Sequence, residues 1–201
     1  MTANNYYFLT IKNYKEVASA FAPEKTKLSH ELIPELDGKN ELPFELNLVK
    51  LSVGENGLIK SDDLSDIENV WLDFQPNSLA WPLMSERFKN LICENLTGKE
   101  SIDWIQAKIN GENESRMYYI MRFEKMLDVL DVEQTLFVKG TDHIIRPHFS
   151  IEKVKELCVF NTPDSHDFWK ITSGIYINEH LKKKILKEKF IGPAFEKVRV
   201  S

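Results

Sequence analysis

Apolar and polar residues alternate in several short stretches of the chain, which is the pattern of β-strands with one buried face. The predicted strands are YYFLTI (6–11), FELNLVKLSV (44–53), VWLDF (70–74), SIDWIQAKI (101–109), MYYIMRF (117–123), FWKIT (168–172), GIYIN (174–178) and a last short strand in FIGPAFEKV (190–198). The Gly/Asn-rich turn at 110–115 predicts a hairpin. In 44–53 the alternation changes phase at Leu48–Val49, which indicates either a bulge or a strand buried on both sides.

Three stretches show helical spacing, each after a residue that can cap the first turn. They are 86–96 after Ser85, 150–160 with Ser150 itself as the cap, and 179–189 after Asn178. In the first of them Phe88, Leu91, Ile92 and Leu96 form one apolar stripe, so this helix is expected to pack on a core. A role of Ser85 as a nucleophile is disfavoured, because Met84 and Glu86 flank it instead of glycines.

The order of elements mixes hairpins with isolated helices, which predicts an α+β fold with a mixed, mainly antiparallel sheet and a few amphipathic helices. Residues 12–43 are polar and interrupted by prolines, so they are expected to form a long surface excursion with short helical turns. We expect one domain over 1–201, with the alternative of an N-terminal lobe (1–75) beside a core (76–201).

Composition and charge disfavour two classes of partner, nucleic acids and membranes. The chain has 201 residues, 42% of them hydrophobic, and a formal net charge of −5. This negative charge disfavours a nucleic-acid partner bound through its phosphates. Cys93 and Cys158 are far apart in the chain and are expected to be reduced, buried thiols of a cytoplasmic protein. The sequence shows no signal peptide and no membrane-spanning run, so no membrane association is expected.

Motifs of catalysis and metal binding are weak. The histidines and turn aspartates that could bind a metal are His143, His148, Asp164, His166 and Asp167, and they match no metal-binding motif. There is no phosphate-binding glycine motif. We therefore expect no metal, no cofactor and no catalysis. The enzyme alternative would place a pocket among Trp81, Arg87 and Asp128.

Charge is unevenly distributed along the chain. Residues 24–73 hold 12 acids and 5 bases, a net charge of −7, whereas residues 181–201 hold 7 bases and 2 acids, a net charge of +5. The densest acidic run consists of Asp62, Asp63, Asp66 and Glu68. Like charges this close are tolerated in a fold when they are solvated or matched by a partner. This acidic run is therefore expected to be exposed.

Four segments in order resemble a known family. They are PLMSERFKNLI (82–92), MYYIMRF (117–123), DVLD (128–131) with Glu133 and Thr135, and FWKITSGIYINEHLKKKI (168–185). Together they are similar to the eleventh immunity family of bacterial polymorphic toxin systems, over roughly residues 70–198. The chain departs from the family pattern at Asn178, where Ser is usual, and at Ile191, where Thr is usual.

The resemblance implies a cytoplasmic antidote that binds a cognate toxin protein, without catalysis or a cofactor. Toxins that attack nucleic acid carry basic clefts, so Asp62, Asp63, Asp66 and Glu68 are the predicted toxin-binding residues. The loops 110–116 and 161–167 are the next candidates. Three alternatives stay open: a small enzyme, a general interaction module, and a homodimer.

Overall fold

Strands dominate this α+β structure, which has 37% strand and 15% helix. The computed structural model describes residues 5–55, 57–164 and 167–201. The strands are β1 (Tyr6–Ile11), β2 (Glu16–Phe21), β3 (Leu46–Gly54), β4 (Gly57–Ser61), β5 (Phe74–Gln75), β6 (Leu83–Ser85), β7 (Ile102–Asn110), β8 (Ser115–Phe123), β9 (Leu136–Phe137), β10 (Ile144–Arg146), β11 (Val159–Asn161), β12 (Ile175–Asn178) and β13 (Pro193–Lys197). The helices are α1 (Ser29–Leu32), α2 (Glu86–Cys93), α3 (Ile151–Val154) and α4 (Glu179–Lys187), with a 3₁₀ turn at Ile33–Leu36. The predicted fold class is confirmed.

The larger sheet has seven strands in the order β2-β3-β7-β8-β6-β5, and β4 pairs with β3 beyond the end of β7. Its pairs are antiparallel except for β3 with β7. The predicted hairpin is confirmed: β7 and β8 pair without interruption from Ile102 opposite Phe123 to Asn110 opposite Ser115.

The smaller sheet joins the two ends of the chain. Its order is β11-β12-β1-β13, and all of its pairs are antiparallel. The N-terminal strand β1 thus lies between two strands from the last quarter of the sequence. A separate ribbon is formed by β9 and β10. The division into a lobe (1–75) and a core (76–201) stays a prediction.

Two hydrophobic cores lie on opposite faces of the larger sheet, because successive side chains of a strand point to opposite sides. On β8, Met121 enters the first core and Ile120 the second. The first core also holds the buried faces of α2, α4 and the smaller sheet. The second core lies against the segment before β3, where Leu32, Ile33 and Leu36 are buried.

Helix α2 begins as predicted. The Ser85 hydroxyl accepts a hydrogen bond from the Phe88 N–H at 3.3 Å, and Phe88, Leu91 and Ile92 are buried. Asn178 caps α4 in the same way, since its side-chain oxygen accepts from the Leu181 N–H at 2.9 Å. Both helices are a little shorter than predicted.

Four expectations for the elements are wrong. Residues 12–43 contain strand β2, whose Ala18 and Ala20 are fully buried. Of 70–74 only Phe74 is in a strand, and 168–172 are not in a strand but begin with a turn at 168–170. The helix predicted at 150–160 ends at Val154, and its last two residues begin β11.

The two cysteines are both free thiols, but only one is buried. Cys158 is 2% exposed, as expected. Cys93, at the last position of α2, is exposed, so its predicted burial is wrong. It neighbours Ile92 in sequence but lies off the apolar stripe that meets the core.

Candidate partner-binding surface

The acidic run lies in the segment that follows β4, on the second core's side of the fold. Asp62, Asp63, Asp66 and Glu68 are all exposed, as predicted. Between them Leu64 is 5% exposed and belongs to the second core, against which Ile67 is partly packed. These two apolar residues anchor the segment, so its carboxylates are held on a defined surface.

Hydrogen bonds within the segment fix its turn. The Asp63 carboxylate accepts from the Ser65 N–H at 3.0 Å, and the Asp63 N–H donates to the Ser61 hydroxyl at 3.2 Å. The Ile67 N–H donates to the Leu64 carbonyl at 3.1 Å. The hydrogen bonds from Ser65 lower the pKa of Asp63 below its usual value. The carboxylate of Asp63 therefore stays ionised at neutral pH.

A lysine ties the acidic run to the sheet. Lys50 on β3 lies 3.6 Å from an Asp66 oxygen and 3.4 Å from a Glu16 oxygen, and its side chain is 15% exposed. Asp66 is 77% exposed at its side chain, so the pair is a partly screened surface interaction of small net stability. One cation between two carboxylates leaves the local charge negative.

A second exposed surface is apolar, and it lies on the face of the sheet that is turned away from the second core. It is the outer face of the three strands β2, β3 and β4, and its residues are Val17, Phe21, Val49, Leu51, Val53 and Leu58. Their strand neighbours Ala18, Ala20, Leu46 and Leu48 point the opposite way, into the second core. We name this surface the outer face.

The outer face is most open at the β3–β4 end. Val53 and Leu58 are directly opposite each other, and each is 72% exposed. At the other end Phe21, Val49 and Leu28 line a cleft of about 380 Å³. The Lys60 ammonium lies 3.9 Å from the centre of the Phe21 ring, so this positive charge makes a cation–π contact within the chain.

The strand 44–53 has no bulge against β2, since the register runs unbroken from 47 to 52. Its two apolar phases therefore mark two apolar faces.

The residues proposed for other chemistry are not brought together. Trp81 is buried in the second core, and the cleft of about 330 Å³ beside it is lined by neither Arg87 nor Asp128. Arg87 lies 3.3 Å from Asp73, and Asp128 lies 2.7 Å from Lys153. No support for the enzyme alternative comes from this arrangement.

Among residues 5–55, 57–164 and 167–201, no group of three or more His, Cys, Asp or Glu side chains is placed to hold a metal ion. His143 is exposed and His148 half-buried, whereas His166 lies outside the described residues. In that same part of the chain, no helix has the length and apolar character needed to cross a membrane.

A model of the immunity protein family (Imm11) matches residues 59–200, which is more than two thirds of the chain. The chain belongs to the immunity protein family (Imm11). This confirms the resemblance inferred from the sequence. A comparison with curated proteins finds no match. The matched range includes the acidic run, whereas the outer face lies before it, in residues 17–58.

One of the sequence segments that resemble the immunity family, DVLD (128–131) with Glu133 and Thr135, has a structural role. Asp131, from DVLD, accepts hydrogen bonds from the N–H groups of Glu133 and Gln134. The Thr135 hydroxyl donates to the Asp131 carbonyl at 2.7 Å. The Ser201 hydroxyl donates to the Asp131 carboxylate at 2.9 Å. This bond and those from Gln134 and Glu133 lower the pKa of the Asp131 carboxyl. These hydrogen bonds tie Asp131 to the turn that follows it and to Ser201.

Proposed function

We propose that this chain is the antidote of a bacterial toxin system, and that it neutralises a cognate toxin protein by binding it in the cytoplasm. The family match over residues 59–200 is the observation that carries this proposal. An immunity function requires a surface that recognises a protein, and the exposed acidic run offers such a surface.

Neutralisation by this account is stoichiometric and non-catalytic. In the described part of the chain, the candidate catalytic residues Trp81, Arg87 and Asp128 have separate partners or are buried. A binding protein has no need for reacting groups, because complementary contacts are enough to cover the toxin's active surface. One molecule of the chain would then inactivate one molecule of toxin.

Within this proposal, Asp62, Asp63, Asp66 and Glu68 form part of the toxin contact. Four exposed carboxylates within seven residues create a local negative field. Such a field speeds the encounter with a basic protein, and the effect weakens as salt screens it. The preferred toxin is therefore one with a basic surface, such as the cleft of a domain that acts on nucleic acid.

The test is the association rate with the purified cognate toxin domain, which is sought among the products of the genes adjacent to that of this chain. In the test variant Asp62, Asp63 and Asp66 are changed to Lys. In the control variant Glu124, Glu133 and Asp142, which are also exposed, are changed to Lys. Each variant raises the net charge from −5 by six, to +1, so a difference between them reports position and not total charge.

We expect the test variant to associate at least about tenfold more slowly than the control variant at low salt, with the two rates converging as salt rises. Equal association rates for the two variants would remove the acidic run from the contact. Failure of the wild-type chain to bind the toxin domain at all would contradict the proposed function itself.

A further inference from the structure

We infer that the open edge of β4 (Gly57–Ser61) binds an extended strand of the toxin domain, which pairs with it through backbone hydrogen bonds. The inference rests on the proposed function, because it takes the occupant to be the toxin. It deepens that function by giving the form of the contact, a strand added to the larger sheet. Extended segments of one protein bind exposed sheet edges of another in this way.

Strand β4 has one partner strand and one open side. It pairs with β3, from Lys50 opposite Ser61 to Gly54 opposite Gly57. All five of its residues are exposed. In the described part of the chain, no backbone group outside β3 bonds the backbone of residues 57–61. The row of N–H and C=O groups on the open side is therefore available to a partner strand.

The alternation along the β3–β4 pair identifies the groups that face the open side. Gly54 and Gly57 are opposite each other and are joined by a turn of two residues, so this pair exchanges hydrogen bonds. Opposed pairs of an antiparallel ladder alternate between bonded and non-bonded. Leu58 and Lys60 are therefore at non-bonded positions towards β3. Their N–H and C=O groups point to the open edge, as two donors and two acceptors spaced for a further strand.

The protection that edge strands usually carry is missing from β4. Natural edges are commonly guarded by a proline, a bulge or a lysine. Strand β4 contains no proline, and its register against β3 has no shift. Its single charged residue, Lys60, is directed inward, since the ammonium lies 3.9 Å from the centre of the Phe21 ring on β2. That ring is two strands away from the open edge, so the lysine does not block it.

The other edges of the larger and the smaller sheet are covered or guarded. On the open side of β2, the Ala20 N–H donates to the Pro76 carbonyl and the Ser78 N–H donates to the Ala20 carbonyl. The edge strands β5 and β11 are buried along their whole length. Strand β13 begins with Pro193 and ends with two charged residues. This contrast singles out β4 as the edge that is open to a partner.

The chemistry of the edge selects an extended strand as the occupant, because the N–H and C=O groups of such a strand have the spacing that completes the ladder. Its side chains would lie beside Leu58 on one face of the sheet and beside Ile59 on the other. These two residues are 72% and 55% exposed. The added strand is therefore expected to carry apolar residues on both of its faces.

A second copy of this chain fits the edge less well than a toxin strand. Antiparallel pairing of two β4 strands about Ile59 places Gly57 opposite Ser61 of the other copy. Continued outward, this register brings Glu55 towards Asp63 of the other copy, and the two-fold axis repeats the like-charge approach. A toxin strand is free of this constraint, so the toxin is the assigned occupant.

The first test is the affinity for the catalytically disabled toxin domain. Lys60→Pro removes an N–H from the open edge, where proline is tolerated because that N–H does not bond β3. Lys60→Thr is the matched control, since it removes the same side chain and keeps the N–H. We expect Lys60→Pro to bind at least about tenfold more weakly than Lys60→Thr. Urea denaturation of both variants checks that they are folded.

The second test needs no substitution, and it decides alone if Lys60→Pro does not fold. Amide hydrogen exchange of the wild-type chain is followed by NMR with and without the toxin domain. The N–H groups of Leu58 and Lys60 should exchange at least about tenfold more slowly in the complex. The Ile59 N–H, which already bonds β3, should change far less. This alternation is the signature of an added strand.

Three outcomes overturn the inference while the proposed function stands. They are unchanged exchange at Leu58 and Lys60 in the toxin complex, equal toxin affinity of folded Lys60→Pro and Lys60→Thr, and a wild-type dimer that protects the two N–H groups without toxin. In the last case the edge joins two copies of the chain. A wild-type chain that does not bind the toxin domain refutes the proposed function and the inference with it.

Discussion

The Ser85 hydroxyl donates a hydrogen bond to an Asp73 carboxylate oxygen at 2.7 Å while it caps helix α2. The other Asp73 oxygen accepts from the Ile191 N–H at 2.9 Å, and the Arg87 guanidinium lies 3.3 Å from the carboxylate. One half-buried carboxylate thus joins the start of a helix to the segment before the last strand. The corner where β6 becomes α2 is a structural junction of the family-matched region.

Replacing Ser85 by Ala removes both the cap and the donor to Asp73. We expect the free energy of unfolding to fall by about 1–2 kcal/mol, since a lost N-cap costs about 1 kcal/mol and a second hydrogen bond adds to it. Urea denaturation measures this change. Ser173→Ala, at an exposed position, is the control and should be neutral. Equal stability of the two variants would show that the junction contributes nothing.

Replacing Phe88 by Ala tests the core beneath α2. Phe88 is 0% exposed, and its ring packs 4.9 Å from that of Phe190 and 6.1 Å from that of Phe74, centre to centre. The expected loss is about 3–5 kcal/mol, because the substitution leaves a cavity. Leu186→Ala is the control, because Leu186 on α4 is 57% exposed. This substitution should lower the free energy of unfolding far less. A Phe88→Ala protein that melts like wild type would mean that the ring does not face a core.

The two thiols should differ in reactivity. Cys93 is exposed, whereas burial, aided by the nearby Glu100 charge, raises the pKa of Cys158 to about 12. Only the thiolate attacks alkylating reagents, so at neutral pH iodoacetamide should modify Cys93 and spare Cys158 until the protein unfolds. Mass spectrometry of the labelled peptides identifies the sites. Rapid labelling of Cys158 in the native protein would contradict its burial.

The same thiol predicts a loss of stability at alkaline pH. Its pKa is about 12 in the fold and near 9.0 when unperturbed, because burial disfavours the thiolate. The folded state therefore holds the proton more tightly, and this stabilisation is complete below about pH 9 and is lost as pH rises towards 12. The Cys158→Val protein should lose less of its unfolding free energy between pH 8 and 11 than the Cys93→Ser protein. Identical losses in the two variants would contradict the prediction.

Local signals in the sequence were enough to predict the helix starts. Ser85 and Asn178 each place a side-chain acceptor three residues before the N–H that it binds, and such capping depends on few distant contacts. The β7–β8 hairpin was predictable for the same reason, because its turn residues and alternating strands are contiguous. The α+β class followed from the order of these elements.

Elements decided by distant contacts were not predictable. Strand β2 carries Ala18 and Ala20, which have low strand propensity and are buried here between β3 and the rest of the second core. The predicted strand at 70–74 is interrupted because the Leu72 N–H bonds the Gln75 side chain, whose amide in turn donates to the Ala18 carbonyl. Residues 150–160 have apolar residues at helical spacing, but pairing with β12 turns 159–161 into a strand.

The acidic run could be predicted from the sequence, whereas the exposure of the outer face could not. Exposure of Asp62, Asp63, Asp66 and Glu68 followed from the density of like charge. The outer face was present in the sequence as the second apolar phase of 44–53, Val49 with Leu51 and Val53. Periodicity shows that a strand has two apolar faces, but only the three-dimensional structure shows which of them the chain leaves uncovered.

The most direct test of the central claim is a titration of a fixed amount of purified toxin domain with this chain, read as the toxin's residual activity on its own substrate. Stoichiometric binding predicts that activity falls linearly and reaches its minimum at one chain per toxin molecule, with no covalent change in the toxin by mass spectrometry. Full activity in the presence of excess folded chain would contradict the account, and so would complete inactivation by far less than one equivalent.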